Sequence, residues 1–125
     1  MTPSEVARNY LESFAAGDPT SIAGWVTDDF VNEHTAALGS GCEGRAEYER
    51  RLPAFLSSMP GLRYEVEQII AEQHRVVVCY ELRAAANGRP IALRGAMVFE
   101  IRDEKIARRT DYWDSLMFQR QAGLA

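Results

Sequence analysis

Near one end of the chain, the run Arg108-Arg109-Thr110-Asp111-Tyr112-Trp113-Asp114 mixes charge with aromatic rings. Alternate residues of a β-strand share a face. A strand here sends Arg109, Asp111 and Trp113 one way, and Arg108, Thr110, Tyr112 and Asp114 the other. A carboxylate beside an aromatic ring in an apolar cavity loses hydration, which raises its pKa into the range that acid/base work near neutrality needs. The competing outcome is an ion pair of Asp111 with Arg109 or a neighbouring strand, which would lower that pKa. His34 is the second candidate, because an imidazole with an unperturbed pKa near 6.5 can shuttle protons at neutral pH. The other histidine, His74, falls in a turn and is expected at the surface.

The elements that must position these groups can be read from pattern. Thr2, Pro3 and Glu5 form a helix start with a capping box. Val6, Ala7, Tyr10, Leu11 and Phe14 then recur on one helical face, and Gly17 is placed to end the helix. Tyr10 can thus be an amphipathic core residue whose hydroxyl finds a partner. Asp18-Pro19 starts a shorter second helix through Ile22 and Trp25. Phe30 to Thr35 reads as a strand, and the glycine-containing Ala36 to Gly44 as a loop. A third helix is expected from Ala46 to Ser58, with Tyr48, Leu52, Phe55 and Leu56 on its apolar face and a kink at Pro53.

The period then changes. Leu62–Ala71, Val76–Ala84, Ile91–Arg102 and Lys105–Asp114 read as four long strands with short connections, Asn87-Gly88 being a hairpin signal. Helices followed by a strand meander define an α+β class. The expected architecture is a cone-shaped barrel: a strongly curved, mixed but mainly antiparallel sheet wrapped around three N-terminal helices. Met97, Phe99 and Ile101 share one face of the third long strand. Ala96 and Val98 share the other, which is apolar enough to predict a homodimer through the outer sheet face.

At 125 residues the chain is read as one domain spanning 1–125, with enough length for a real core. A net charge of −4 argues against nucleic-acid or anionic-membrane partners. No apolar run is long enough to span a bilayer, and Met1 to Glu5 lacks the pattern of a secretory signal. Cys42 and Cys79 have neither metal-ligand spacing nor the density of a disulfide scaffold. A cytoplasmic protein without metal or cofactor is expected.

The stretches "YLESFAAGD" (Tyr10 to Asp18), "VTDDFV" (Val26 to Val31), "GAMVFEIRDEKI" (Gly95 to Ile106) and "RTDYWD" (Arg109 to Asp114), in this order of elements, resemble the nuclear transport factor 2-like superfamily. Within it the chain looks most like the SnoaL-like branch of polyketide cyclases and ketosteroid-isomerase relatives. The resemblance implies that Tyr10 donates a hydrogen bond to a substrate oxyanion. It also implies that His34 stands where those isomerases carry an aspartate base. Met97 falls where they place a protonated aspartate, and a thioether cannot donate. Asp111 matches the cavity-facing aspartate of SnoaL-like cyclases and limonene-epoxide hydrolases.

The expectation is therefore a cofactor-independent cyclase or isomerase that moves a proton next to a carbonyl. Asp111, His34 and Tyr10 would be its catalytic residues. Its pocket for a small hydrophobic molecule would be walled by Phe14, Trp25, Phe55, Met97, Phe99 and Trp113, with Arg109 among them. Two alternatives stand beside it. One is epoxide hydrolysis, for which Glu81 or Arg83 would have to reach Asp111. The other is a non-catalytic ligand-binding or dimerisation domain.

Overall fold

The computed structural model describes residues 1–125. Helix α1 (Pro3–Glu12) starts as its first residues dictate. The Thr2 hydroxyl accepts from the Glu5 N–H, the Glu5 carboxylate accepts from the Thr2 N–H, and Pro3 occupies the first turn. A 3₁₀ turn, Ser13–Ala16, tightens the exit, and Gly17 closes it at φ 69°, where a side chain would be strained. Helix α2 (Pro19–Ala23) is capped by Asp18, which accepts from the Thr20 N–H. It stops before Trp25, so strand β1 (Val26–His34) begins earlier than Phe30. The polar run Thr27-Asp28-Asp29 conceals this first part, whose pairing is irregular between Val26 and Val31.

Two further elements differ from expectation. Cys42–Glu43 forms a short strand, β2, inside the segment read as loop. Helix α4 (Ser115–Gln121) follows the last strand and carries no strong periodic signal at its length. Its start is nonetheless written locally: the Asp114 carboxylate accepts from the N–H groups of Leu116 and Met117. Helix α3 (Arg45–Ser58) runs through Pro53, which lies on its exposed side.

Strands β3 (Arg63–Glu72), β4 (Arg75–Ala86), β5 (Arg89–Arg102) and β6 (Lys105–Tyr112) form the meander. Asn87 and Gly88 both adopt positive φ, as do Asp103 and Glu104, the twist-matched turn that joins antiparallel strands. The six strands order as β2-β1-β6-β5-β4-β3, and every pairing is antiparallel except β1 with β6. The sheet is curled around the helices rather than closed. Its inner face and α1 share the core, in which Tyr10, Phe14, Phe30, Met97 and Phe99 are almost wholly enclosed. No helix is long and apolar enough to cross a membrane.

The one parallel pairing decides where chemistry can occur. It sets Asn32 beside Arg109 and His34 beside Asp111. Paired residues project from the same side of a sheet, so four polar side chains face inward together.

Candidate functional site

Arg109 and Asp111 alternate on β6 and are each 3% exposed. Enclosing two charges is costly unless they are paired and hydrogen-bonded. The Arg109 Nη2 donates to Asp111 Oδ2 at 3.0 Å, and the Tyr80 hydroxyl donates to Asp111 Oδ1 at 2.6 Å. Arg109 Nη1 donates to the Tyr10 hydroxyl at 2.8 Å, and Nη2 also lies 3.5 Å from the Tyr64 hydroxyl. Burial raises the pKa of Tyr48, Tyr64 and Tyr80, so all three keep their protons at neutral pH.

His34 Nδ1 lies 3.8 Å from Asp111 Oδ2, a separation that would count as an ion pair if the ring were charged. It is not charged at neutral pH. Burial and the nearby Arg109 cation lower its pKa to about 4, against the opposing pull of Asp111. The hydrogen bonding agrees, because the Trp113 indole N–H donates to Nδ1 at 3.1 Å. A nitrogen that accepts has a free lone pair, so the ring proton sits on Nε2.

These groups border a cavity of about 410 Å³, with 13 of its 21 lining residues hydrophobic, the composition expected of a small-molecule pocket. Phe14, His34, Phe55, Arg109, Asp111 and Trp113 line it, so the structure brings together most of the residues singled out from sequence. A larger depression of about 690 Å³ over Asp28, Arg45 and Glu49 is open and has one hydrophobic lining residue, which suits solvated ion pairs better than a ligand.

Four expected site residues stand elsewhere. Met97 and Phe99 are fully enclosed within the core and do not line the cavity. Phe99 packs edge-on against Tyr10, with ring centroids 5.8 Å apart. Trp25 packs at the opposite end of the β1–β6 ladder from His34, where its carbonyl accepts from the Ile106 N–H. Tyr10 has 0% exposure, and its hydroxyl meets Arg109 and Tyr48 rather than the cavity.

Sequence reasoning missed Asn32, Tyr48, Tyr64, Tyr80 and Phe118, all of which line the cavity. Asn32 was recoverable, since it shares the face of His34 by strand alternation. Periodicity places Tyr48 on an apolar helix face and carries no information about its hydroxyl. Phe118 comes from α4 and packs edge-on against Trp113 at 6.3 Å. Glu81 and Arg83 pair with each other near the outer surface, and Arg83 also meets Glu65. Nowhere do three His, Cys, Asp or Glu side chains converge as a metal-binding group.

A curled α+β sheet with a lined cavity at the β1–β6 end is shared with known proteins. The model of the SnoaL-like domain family matches residues 7–109, and the chain belongs to that family. No curated protein matches it in sequence. Among solved structures, a hypothetical protein of ketosteroid isomerase-like fold from Catenulispora acidiphila, in complex with trimethylamine, has 17% identity and a TM-score of 0.89. That match covers 100% of this chain and 96% of the other. A provisionally designated polyketide cyclase of Xanthomonas campestris pv. campestris has 22% identity and a TM-score of 0.84, covering 96% of each chain. A limonene-epoxide-hydrolase-like epoxide hydrolase of M. tuberculosis has 19% identity and a TM-score of 0.82, covering 95% of this chain and 88% of the other. At such identities the likeness is one of fold.

Proposed function

We propose that this chain is a small-molecule enzyme of the cyclase or isomerase kind, which moves a proton at a carbon next to a carbonyl of a hydrophobic substrate. The observation that supports this most is the placement of Asp111, an enclosed carboxylate bordering a mainly apolar cavity. Each of its oxygens accepts one bond, from Tyr80 or Arg109, and a carboxylate has about four acceptor positions. Lone pairs remain to take a proton, and the ion pair with Arg109 is the feature that counts against it. His34 beside it is a neutral donor through Nε2, suited to the substrate's oxygen rather than to a second proton abstraction. Trp113 provides a wall on which a flat substrate can stack.

The test is solvent-deuterium exchange into the α-position of hydrophobic ketones and 1,3-diketones, followed by NMR. Catalysed exchange in the wild-type protein, lost in Asp111→Asn, is the expected result. A second reading, a pocket without chemistry, draws on the same two bonds that tether Asp111. It requires ligand-induced thermal stabilisation with no exchange for any carbonyl compound. The epoxide-hydrolase reading is weakened by the outer positions of Glu81 and Arg83.

Pairing of two copies is part of the same proposal. Val77, Cys79, Ala96 and Val98 form a half-buried apolar strip across β4 and β5, continued by the exposed Tyr112. A second copy would cover it, with sedimentation at micromolar concentration as the check.

A further inference from the structure

Tyr10 and Tyr48 form a hydroxyl pair at 2.5 Å in which either oxygen could be the donor. Proton accounting decides the direction. The Tyr10 hydroxyl already accepts from Arg109 Nη1, and a phenol carries a single proton to give away. Tyr10 has 0% exposure, and the Tyr48 oxygen is the acceptor within its reach. Were Tyr48 to donate instead, the Tyr10 O–H would be left enclosed and unpaired, an arrangement that costs the desolvation of a hydroxyl. The relay therefore runs from Arg109 through Tyr10 to Tyr48. The O–H of Tyr48 is then the one without a protein acceptor, and Tyr48 lines the cavity whereas Tyr10 does not.

Two further polar atoms at the same place lack partners. Arg109 Nε, a donor, and Asn32 Oδ1, an acceptor, are both enclosed and unbonded. Both residues line the cavity and stand side by side in the parallel ladder. Unpaired enclosed polar atoms are rare in folded proteins, and a ligand seated beside them would satisfy both.

We propose that Tyr48 and Arg109 form an oxyanion-binding subsite through the Tyr48 O–H and the Arg109 Nε–H, that Tyr10 is the positioning residue behind Tyr48, and that Asn32 Oδ1 accepts from a neighbouring hydroxyl of the ligand. The ligand class is an enolisable 1,3-dicarbonyl compound, which offers one oxygen as acceptor and the next as hydroxyl. This rests on the proton-transfer reading for its chemistry. The hydroxyl that Asn32 accepts from belongs to the enol tautomer bound at the same subsite, whereas the reacting compound enters as the diketone. A C–H between the carbonyls breaks, its proton passes to Asp111, and its electron pair becomes the C=C bond of an enolate. The charge settles on the oxygen facing Tyr48 and Arg109. Return of the proton from Asp111 to carbon closes the cycle, with no oxidant or reductant consumed.

The probe is 1-phenyl-1,3-butanedione, with butylbenzene as the apolar control. Its enolate absorbs at longer wavelength than its ketone, so binding, ionisation of the bound probe and deuterium exchange can be read separately. Tyr48→Phe should weaken diketone binding about tenfold and raise the pH at which the bound probe ionises by about one unit, with butylbenzene binding unchanged. Tyr10→Phe should move both quantities by less than about threefold, since it polarises the donor without touching the ligand. The subsite is overturned if Tyr10→Phe has the larger effect, or if diketone and butylbenzene respond alike to Tyr48→Phe.

Melting temperatures accompany each variant. Should Tyr48→Phe not fold, the Tyr10→Phe/Tyr48→Phe double variant takes its place. Retained binding in Tyr10→Phe with loss in the double variant supports the subsite, and equal loss in both overturns it. The two proposals separate cleanly. A Tyr48-dependent ionisation without deuterium exchange supports the subsite and sinks the proton-transfer reading. Exchange that is indifferent to Tyr48→Phe does the reverse.

Discussion

Arg109 and Asp111 stand two residues apart on β6 and hold each other, Nη2 to Oδ2 at 3.0 Å, with side chains only 4% and 5% exposed. Breaking a buried pair by removing one partner strands a charge, whereas replacing both with apolar groups can be nearly neutral. Arg109→Met should therefore destabilise the protein by about 3–5 kcal/mol, and Arg109→Met/Asp111→Leu by clearly less. Urea denaturation of Arg109→Met, Asp111→Leu and the double variant checks this. Additive losses would show that the pair is not coupled.

Asp111→Asn keeps the shape of the side chain and removes its ability to take a proton. Exchange at the α-carbon of a bound carbonyl compound should fall by ~10²-fold or more. Arg109 loses its counter-charge in this variant, so melting temperature must be measured alongside rate. A folded Asp111→Asn protein with unaltered exchange removes Asp111 from the mechanism.

His34 makes stability depend on pH in a defined direction. The unfolded chain takes a proton at an ordinary histidine pKa of 6.5, whereas the folded protein resists it until about pH 4. The unfolded state thus binds more protons between these values, and stability rises with pH there. The contribution is complete above pH ~6.5 and declines as pH falls towards 4, by at most about 3 kcal/mol. His34→Gln should remove this slope. Relative to wild type the variant gains stability as pH drops from 7 to 4, and a constant difference between them across that range would refute the assignment.

The legible part of the structure was the part written in local pattern. The capping box at Thr2 and Glu5, the hairpin at Asn87-Gly88 and the alternation around Asp111 are all encoded within a few residues. What distinguishes Phe14 from Phe99 is not local. Both are large, apolar and inward-facing, yet one lines the cavity and the other lies under α1. Phe14 sits on the turn after α1 and Phe99 on β5, so the docking of that helix on the sheet separates them, and no spacing in the chain records it. Tyr48 was hidden for a different reason, because periodicity registers its ring and ignores its hydroxyl. The short strand Cys42–Glu43 exists only because β1 supplies its partner, a tertiary cause without a sequence signal.

Gly95 leaves room for the Tyr80 hydroxyl that holds Asp111. A Cβ added there would lie 2.5 Å from the Tyr80 oxygen and 2.8 Å from the Tyr112 carbonyl oxygen. Gly95→Ala should displace Tyr80 from Asp111 Oδ1 at a cost of about 1–3 kcal/mol, the range for overpacking. A crystal structure of the variant should show the Tyr80–Asp111 bond lengthened or broken. An unchanged bond and melting temperature would mean that the backbone yields instead.

The parallel contact between β1 and β6 places a demand on how the molecule comes into being. Tyr10 and Arg109 are separated by 99 positions along the chain, and His34 and Trp113 by 79. Closing loops of that length must come before any of these bonds can form, and such non-local pairing slows folding. During synthesis the meander from β3 to β5 can hairpin on itself while the cavity still lacks its floor. A nascent or partly folded chain would then carry Tyr10 without Arg109 and His34 without Trp113. Competence to bind a ligand should accordingly appear late and all at once, as the final kinetic event of maturation.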